Sequence, residues 1–562
     1  MQRSGLHFDV RRCVKPIVLA TTVFVLAGAC AVVPDFFAIL PHATQEALVG
    51  RFLWVVLVLY WASLVPSVVG GAILSILLVI ARRAGSRRPT AARLLLLCIS
   101  TVFCLVFIES ASAVWLAWEH RFPALPTQFP ASPTDELHIA VIGGSSAKGH
   151  PYQDWLSIGP IVAWKLRAAL PGRRVVADVL AREGATLEEM HQNLDGITHR
   201  PDVLIIFTGH NEFQARLPWD QDAERPAGPL AYALKIVMQD RLHSPLFQVV
   251  SEVFGKYRLM APPKIVERGP IDPLIVRRSE SERILDEFGR RLEAIVSWCE
   301  RIGSVPVLVI PPANLSGYEP NRSVLPASVS PEERRSFARD WLAARSSESE
   351  SVPAMARYRA LIVRQPGFAG AHFRLARLLE QSGRFIDAGQ DYRLARDLDG
   401  FSQRCQTSFQ DAYHRVAARH GCILIDGPVE FRALSPHGIV GDLLINDGHH
   451  PSLGGHVALA QAVLRELHGR KAFGWSEGAP PSINVAECAT QFGIDDKAWA
   501  KVCANVATFY NITAIIRHDP AERLRKAKLY QRAADQIAAG TPPGDLGIPG
   551  IGLPAPGPAG PL

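Results

Sequence analysis

His138-Ile-Ala-Val-Ile-Gly-Gly-Ser-Ser-Ala-Lys-Gly149 is a short apolar run that opens into two glycines, two serines and a third glycine. The residues 138–142 read as a buried strand. The glycines permit a turn that a side chain would block, so a serine placed there stands at the carboxyl edge of a sheet, as a nucleophile would. The same pattern also serves ordinary turns and phosphate loops. No Gly-Lys-Ser/Thr or Gly-x-Gly-x-x-Gly follows, which weighs against the phosphate loop.

Outward from this stretch, apolar runs at 175–180, 203–207, 305–310 and 422–426 read as four more buried strands. Segments such as Trp155 to Leu170 and Ser281 to Ile302 read as helices between them. Strands alternating with helices predict an α/β fold with a doubly wound, five-stranded parallel sheet. Folds of this kind place their sites at strand ends.

Three further blocks lie where an apolar run ends or a loop begins. Gly184 lies in Arg182-Glu-Gly-Ala-Thr186, after the second run. Thr208-Gly-His-Asn-Glu212 follows the third, and Asp447-Gly-His-His-Pro451 lies far downstream. With Gly143 to Gly149, these blocks resemble the SGNH hydrolases, also called the GDSL esterase family, over roughly residues 137–325 and 400–470. The resemblance implies the flavodoxin-like sheet and a catalytic set. Ser145 aligns with the nucleophile, His450 with the general base and Asp447 with the carboxylate that orients it. Gly184 and Asn211 align with oxyanion donors, joined by the Ser145 N–H. Ser146 is then a neighbour of the attacking group. Two positions depart from the family: Gly144 replaces an aspartate, and Glu212 stands where Asp is common.

The chemistry suits this alignment. A serine hydroxyl needs an imidazole to take its proton, the imidazole needs its other nitrogen held, and a tetrahedral oxyanion needs fixed donors. His449, His450 and His456 with Asp447 also invite a metal reading. Adjacent histidines on one loop are poorly placed to converge on one ion, and a metal leaves Ser145, Gly184 and Asn211 without a role. Neither metal nor cofactor is expected.

The 562 residues carry a net charge of +7, most of it in residues 1–120, which hold ten Lys/Arg and five Asp/Glu. That asymmetry describes basic membrane flanks, and no nucleic-acid surface is expected. Residues 1–118 read as a membrane anchor with spans at about 16–33, 52–81 and 94–118, each near or above the roughly 20 residues a bilayer needs. Arginines and Lys15 precede the first span, and five arginines separate the second from the third. This places the amino terminus inside and everything after Trp118 outside, periplasmic in a Gram-negative cell. A hairpin in the long middle run would reverse that orientation, and cleavage of the first span as a signal peptide is the other alternative. Glu109 in the third span marks either a contact between helices or a hydrated outer edge.

Residues 119–136, with four prolines, read as an extended linker. The long stretch 213–280 is either a packed insertion or a lid beside Asn211. Within 353–399, Ala354 and Ala388, and Tyr358 and Tyr392, are spaced 34 apart. This resembles a tetratricopeptide repeat, which implies a protein partner; the alternative is a plain helical hairpin packed on the hydrolase. Cys405 with Cys422, and Cys488 with Cys503, are candidate disulfide pairs outside the membrane. Residues 483–539 read as helices of unassigned role, and the Gly/Pro-rich 540–562 as a disordered tail.

The expected activity is therefore a membrane-anchored serine esterase acting on acyl esters of surface glycans or lipids. An O-acyltransferase using the same site, and a non-catalytic membrane scaffold recruiting partners through 353–399, are the alternatives.

Overall fold

In a computed structural model of the chain, residues 109–111, 125–130, 133, 135–152, 156–213, 270–272, 278–326, 328–475, 478–517 and 519–553 are described. The expected spans, save residues 109–111, most of the 213–280 stretch and residues 554–562 lie outside them. Among the described residues no helix is long and apolar enough to cross a membrane. Residues 122–221 and 265–562 form one compact unit, which holds the sheet and all four motif blocks.

The chain enters the sheet at β1 (Glu136–Gly143), turns through the short α1 (Ser145–Lys148), and crosses by α2 (Ile158–Ala169) to β2 (Arg174–Val179). It then passes α3 (Leu187–Asn193) into β3 (Val203–Phe207), and α4 (Arg278–Ile302) precedes β4 (Val305–Ile310). After a helical insertion, α9 (Thr407–His420) leads to β5 (Ile423–Asp426). The strand order is β2-β1-β3-β4-β5, with every pair parallel. The five apolar runs of the sequence thus form the five strands within two residues at each end.

Alternate residues feed two cores. Ile139, Val141, Ile205 and Val307 face one, covered by α2 and by α11 (Leu453–Gly469). Ile142, Leu204, Ile206 and Leu308 face the other, covered by α3, α4 and α9. Strands buried on both faces read as continuous apolar runs, which is why these are legible. From β1 the chain goes outward to β2 and then back to β3 on the other side, so a crevice opens between the ends of β1 and β3. Gly143 pairs with Phe207, which brings those two ends level.

The expected helical hairpin within 353–399 is a larger element. Four successive helices fill 331–397: α5 (Pro331–Ser346), α6 (Ser351–Arg364), α7 (Ala369–Gln381) and α8 (Phe385–Asp397). Tyr358 and Tyr392, the pair spaced by 34, are both buried, and each hydroxyl donates to a carboxylate, Glu348 and Glu380. The first helix leaves little periodic signal because its apolar face is narrow: only Phe337, Trp341 and Ala344 are buried.

Beyond α10 (Gly427–Leu434) and α11, the carboxyl-terminal part folds as α12 (Val485–Gln491), α13 (Asp496–Ala514) and α14 (Ala521–Ala538). The expected disorder from 540 is corrected for 540–553. Ile551 is buried, and Gly550, at φ +74°, lies against the Asp442 and Leu443 carbonyls, where a side chain would collide. Here Gly and Pro build turns that dock. The linker is also not a free spacer where it is described: Leu125 and Phe129 pack on the second core, and Trp298 Nε1 donates to the Pro126 carbonyl at 2.7 Å. Neither expected disulfide forms; Cys299, Cys405, Cys422, Cys488 and Cys503 are free thiols. Cys405 is enclosed beside Gly209, while half-buried Cys422 stands at the start of β5.

Candidate active site

Two glycines shape the turn that carries Ser145. At Gly143, with φ +148°, an added Cβ would lie 1.9 Å from the Phe207 carbonyl oxygen. Only glycine lets β1 run so close to β3 and still turn away. At Gly144 an added Cβ would lie 2.4 Å from Asn211 Nδ2. The glycine that departs from the family pattern is therefore the space the Asn211 amide occupies. Ser145 then opens α1, and the left-handed Gly149 closes it, its N–H donating to the Ser145 carbonyl at 3.0 Å.

The downstream loop is folded by its own carboxylate. Asp447 Oδ1 accepts from the backbone N–H groups of His449 and His450, both at 3.0 Å. This Asx turn leaves Oδ2 facing His450 Nδ1 at 2.8 Å. His450 Nε2 lies 2.7 Å from Ser145 Oγ. Asn314 fixes the loop from behind: its Nδ2 donates to the Asp447 carbonyl at 2.7 Å and to Asp442 Oδ1 at 2.7 Å. Asp442 in turn accepts from Lys526 of α14 at 2.8 Å. The carboxyl-terminal helices thus brace the loop.

Asp447 is fully buried, and His450 and Ser145 are 3% and 8% exposed. Burial, reinforced by the neighbouring His150 and His210, holds the His450 imidazole well below its ordinary range. A neutral ring whose Nδ1–H is directed to Asp447 presents the Nε2 lone pair to Ser145, as a general base requires.

Asn211 follows β3 and is 5% exposed. Its Nδ2 donates to the Ala185 carbonyl at 3.1 Å. Ala185 closes the turn of Arg182 to Ala185, in which Gly184 takes φ +72°. The Gly184 turn, Asn211 and the Ser145 turn are therefore in contact through Ala185 and Gly144. All five residues expected from the sequence gather at the β1–β3 crevice. Glu212, the second departure, accepts from Leu187 N at 3.3 Å and from Thr208 Oγ1 at 3.4 Å. Burial pushes its carboxyl up to about 8. It braces the start of α3 beside the site.

Four residues at the site have no role in the sequence reading. The His150 ring lies 4.4 Å from that of His450, and its Nε2 is buried without a partner. His449 lies 4.1 Å from His450, and His210 4.6 Å from His449. His210 Nδ1 accepts from Cys405 N at 3.0 Å. Phe509 of α13 stands edge-on to both His449 and His450, with centroids 5.4 and 5.2 Å away. His150 directly follows the motif's last glycine, a signal present in the sequence. Phe509, from a distant helix, leaves none.

One donor atom each of His150, Asp447 and His450 lies within 4.8 Å of the others. Both nitrogens of His450 already have partners in Asp447 and Ser145, so a metal held there would displace the serine contact or the aspartate contact.

No protein-family model and no curated protein matches the chain. Among solved structures it is similar to an acetylxylan esterase from Geobacillus stearothermophilus, with 13% identity and a TM-score of 0.27 over 61% of this chain and 97% of that one. It is also similar to a lipase/acylhydrolase from Enterococcus faecalis, with 15% identity and a TM-score of 0.27 over 59% and 96%. A third is an alpha/beta hydrolase enzyme from the metagenome of Lake Arreo, with 15% identity and a TM-score of 0.26 over 58% and 93%. Likeness at this level carries no weight in assigning an activity, which rests on the Ser145 site itself.

Proposed function

We propose that the protein is a serine esterase that cleaves acyl esters through an acyl-serine intermediate. The observation that carries this is the continuous relay Asp447–His450–Ser145, closed at 2.8 and 2.7 Å. Ser145 Oγ attacks the ester carbonyl while His450 Nε2 takes its proton. Asn211, the Ser145 N–H and the Gly184 N–H stabilise the oxyanion. Collapse expels the alcohol, which receives the proton back from His450. Water, deprotonated by the same imidazole, then releases the acid and restores the hydroxyl. Asp447 holds the ring and balances its positive charge throughout.

The same intermediate taken by an alcohol instead of water makes the enzyme an O-acyltransferase. A scaffold without activity leaves the relay unexplained. The anchor and the outward-facing catalytic unit belong to this proposal and rest on the arginine distribution of the first 120 residues. They make esters of surface glycans or lipids the natural substrates.

Fluorophosphonate labelling of the full chain tests the chemistry: an adduct is expected on Ser145, and its absence defeats the proposal. Alkaline phosphatase fused after Glu136 tests the orientation. It should be active there and inactive when fused after Gly85, and the reverse pattern overturns the surface location.

A further inference from the structure

We infer that His150 binds the alcohol half of the substrate through a second hydroxyl beside the esterified one, so that the enzyme acts on esters of vicinal polyols, sugars among them. This rests on the acyl-serine reading above.

In that reading the departing alkoxide takes its proton from His450 Nε2. The alcohol half must then lie on the His450 side of Ser145, away from Asn211 and the Gly184 turn. His150 stands beside His450. Its ring is 4.4 Å from the His450 ring at a tilt of 51°, and its backbone N–H, donating to the Ser145 carbonyl at 3.0 Å, fixes it at the end of the nucleophile turn. Its Nε2 is buried and has no partner. An orphaned buried polar atom is costly unless something completes it, and in a catalytic crevice that can be the ligand.

The chemistry of the missing partner can be read from the ring. Burial lowers the His150 pKa, so near neutral pH the ring is uncharged. A neutral imidazole nitrogen accepts or donates one hydrogen bond according to tautomer, and a hydroxyl matches either. It offers no charge to hold a carboxylate or phosphate. The His150 and His450 rings have their centroids 4.4 Å apart. Two oxygens on neighbouring carbons are close enough together for one to meet His450 and the other His150. A simple mono-alcohol fills only the first position.

The test compares 2-hydroxyethyl acetate with ethyl acetate, using the full chain in detergent. The wild type should favour the hydroxy ester by roughly tenfold in kcat/KM, the size of one neutral hydrogen bond completed in a buried site. His150→Ala should bring the two esters level. It should still label with fluorophosphonate, which carries no second hydroxyl; because His150 also neighbours the His450 ring, the ratio of the two esters within each protein, and neither rate alone, is what is read. His150→Gln, which keeps a polar group there, should retain part of the preference. A wild type that does not distinguish the two esters, or a preference that survives in His150→Ala, overturns the inference while labelling keeps the esterase reading intact. Absence of labelling at Ser145 removes both. The comparison of esters on the wild type needs no variant, so a His150→Ala chain that fails to fold does not spare the inference.

Discussion

Phe509 stands edge-on to His450, with ring centroids 5.2 Å apart and planes at 87°. The residue comes from α13, well outside the sheet, and α13 is fastened to the site's rim by Asn505 Nδ2, which donates to the Pro151 carbonyl at 2.8 Å. A helical segment with no sequence motif thus supplies one wall around the candidate general base. Its ring helps keep water from the imidazole, and dehydration is the largest cause of the lowered His450 pKa.

That contact predicts a pH effect. The base works only as neutral imidazole, so kcat/KM falls as pH drops through the His450 pKa. Because that pKa lies well below its ordinary 6.5, the wild type should keep its activity as pH falls through 6.5. Phe509→Ala lets water reach the ring and raises the pKa toward its ordinary value, so the acid limb should move to higher pH. A pH–rate profile of both proteins on p-nitrophenyl acetate checks this, and superimposable acid limbs would remove Phe509 from the role.

Ser145 and Ser146 should behave oppositely. Ser145 Oγ meets His450, whereas Ser146 Oγ donates to the His449 carbonyl at 3.0 Å. Ser145→Ala should abolish fluorophosphonate labelling. Ser146→Ala should still label and should cost about 1 kcal/mol of stability, the value of one hydrogen bond. Mass spectrometry locates the adduct, and denaturant unfolding gives the stability.

Asn211→Ala should lower kcat by about 10²–10³ with little change in KM, as expected for one missing oxyanion donor. Gly144→Ala offers an independent check. Its Cβ would press on the Asn211 amide at 2.4 Å. The variant should therefore lose kcat in the same direction even though Asn211 is still present. Steady-state kinetics on both variants, with labelling to count intact sites, separates this from misfolding.

Glu212 makes stability depend on pH in a stated direction. A carboxyl raised from 4.5 to about 8 in the fold favours the protonated state there. Its contribution is fully present below pH 4.5 and is lost as pH climbs toward 8. Glu212→Gln removes that titration. The wild type should lose stability relative to the variant between about pH 5 and 8, and parallel melting-temperature curves for the two proteins would contradict the assignment.

The five strands and the four motif blocks are legible in the sequence because each is a local signal. A strand buried on both faces must be apolar at every position, as in Val203 to Phe207, and the turns after β1, β2 and β3 each carry a glycine at positive φ, Gly143, Gly184 and Gly209. The Asp447 to His450 loop is equally local, since one carboxylate both folds the turn and orients the ring three residues on. The approach of Phe509 to His450, the burial of His150 Nε2, the docking of Gly550 and Ile551 and the unpaired state of the five described cysteines were decided only by tertiary structure. So was the reason for glycine at 144, which lies in the side chain of Asn211 on another strand's end. These features depend on which distant surfaces meet, and meeting surfaces are selected by shape and by the satisfaction of buried polar groups, neither of which leaves a periodic mark along the chain.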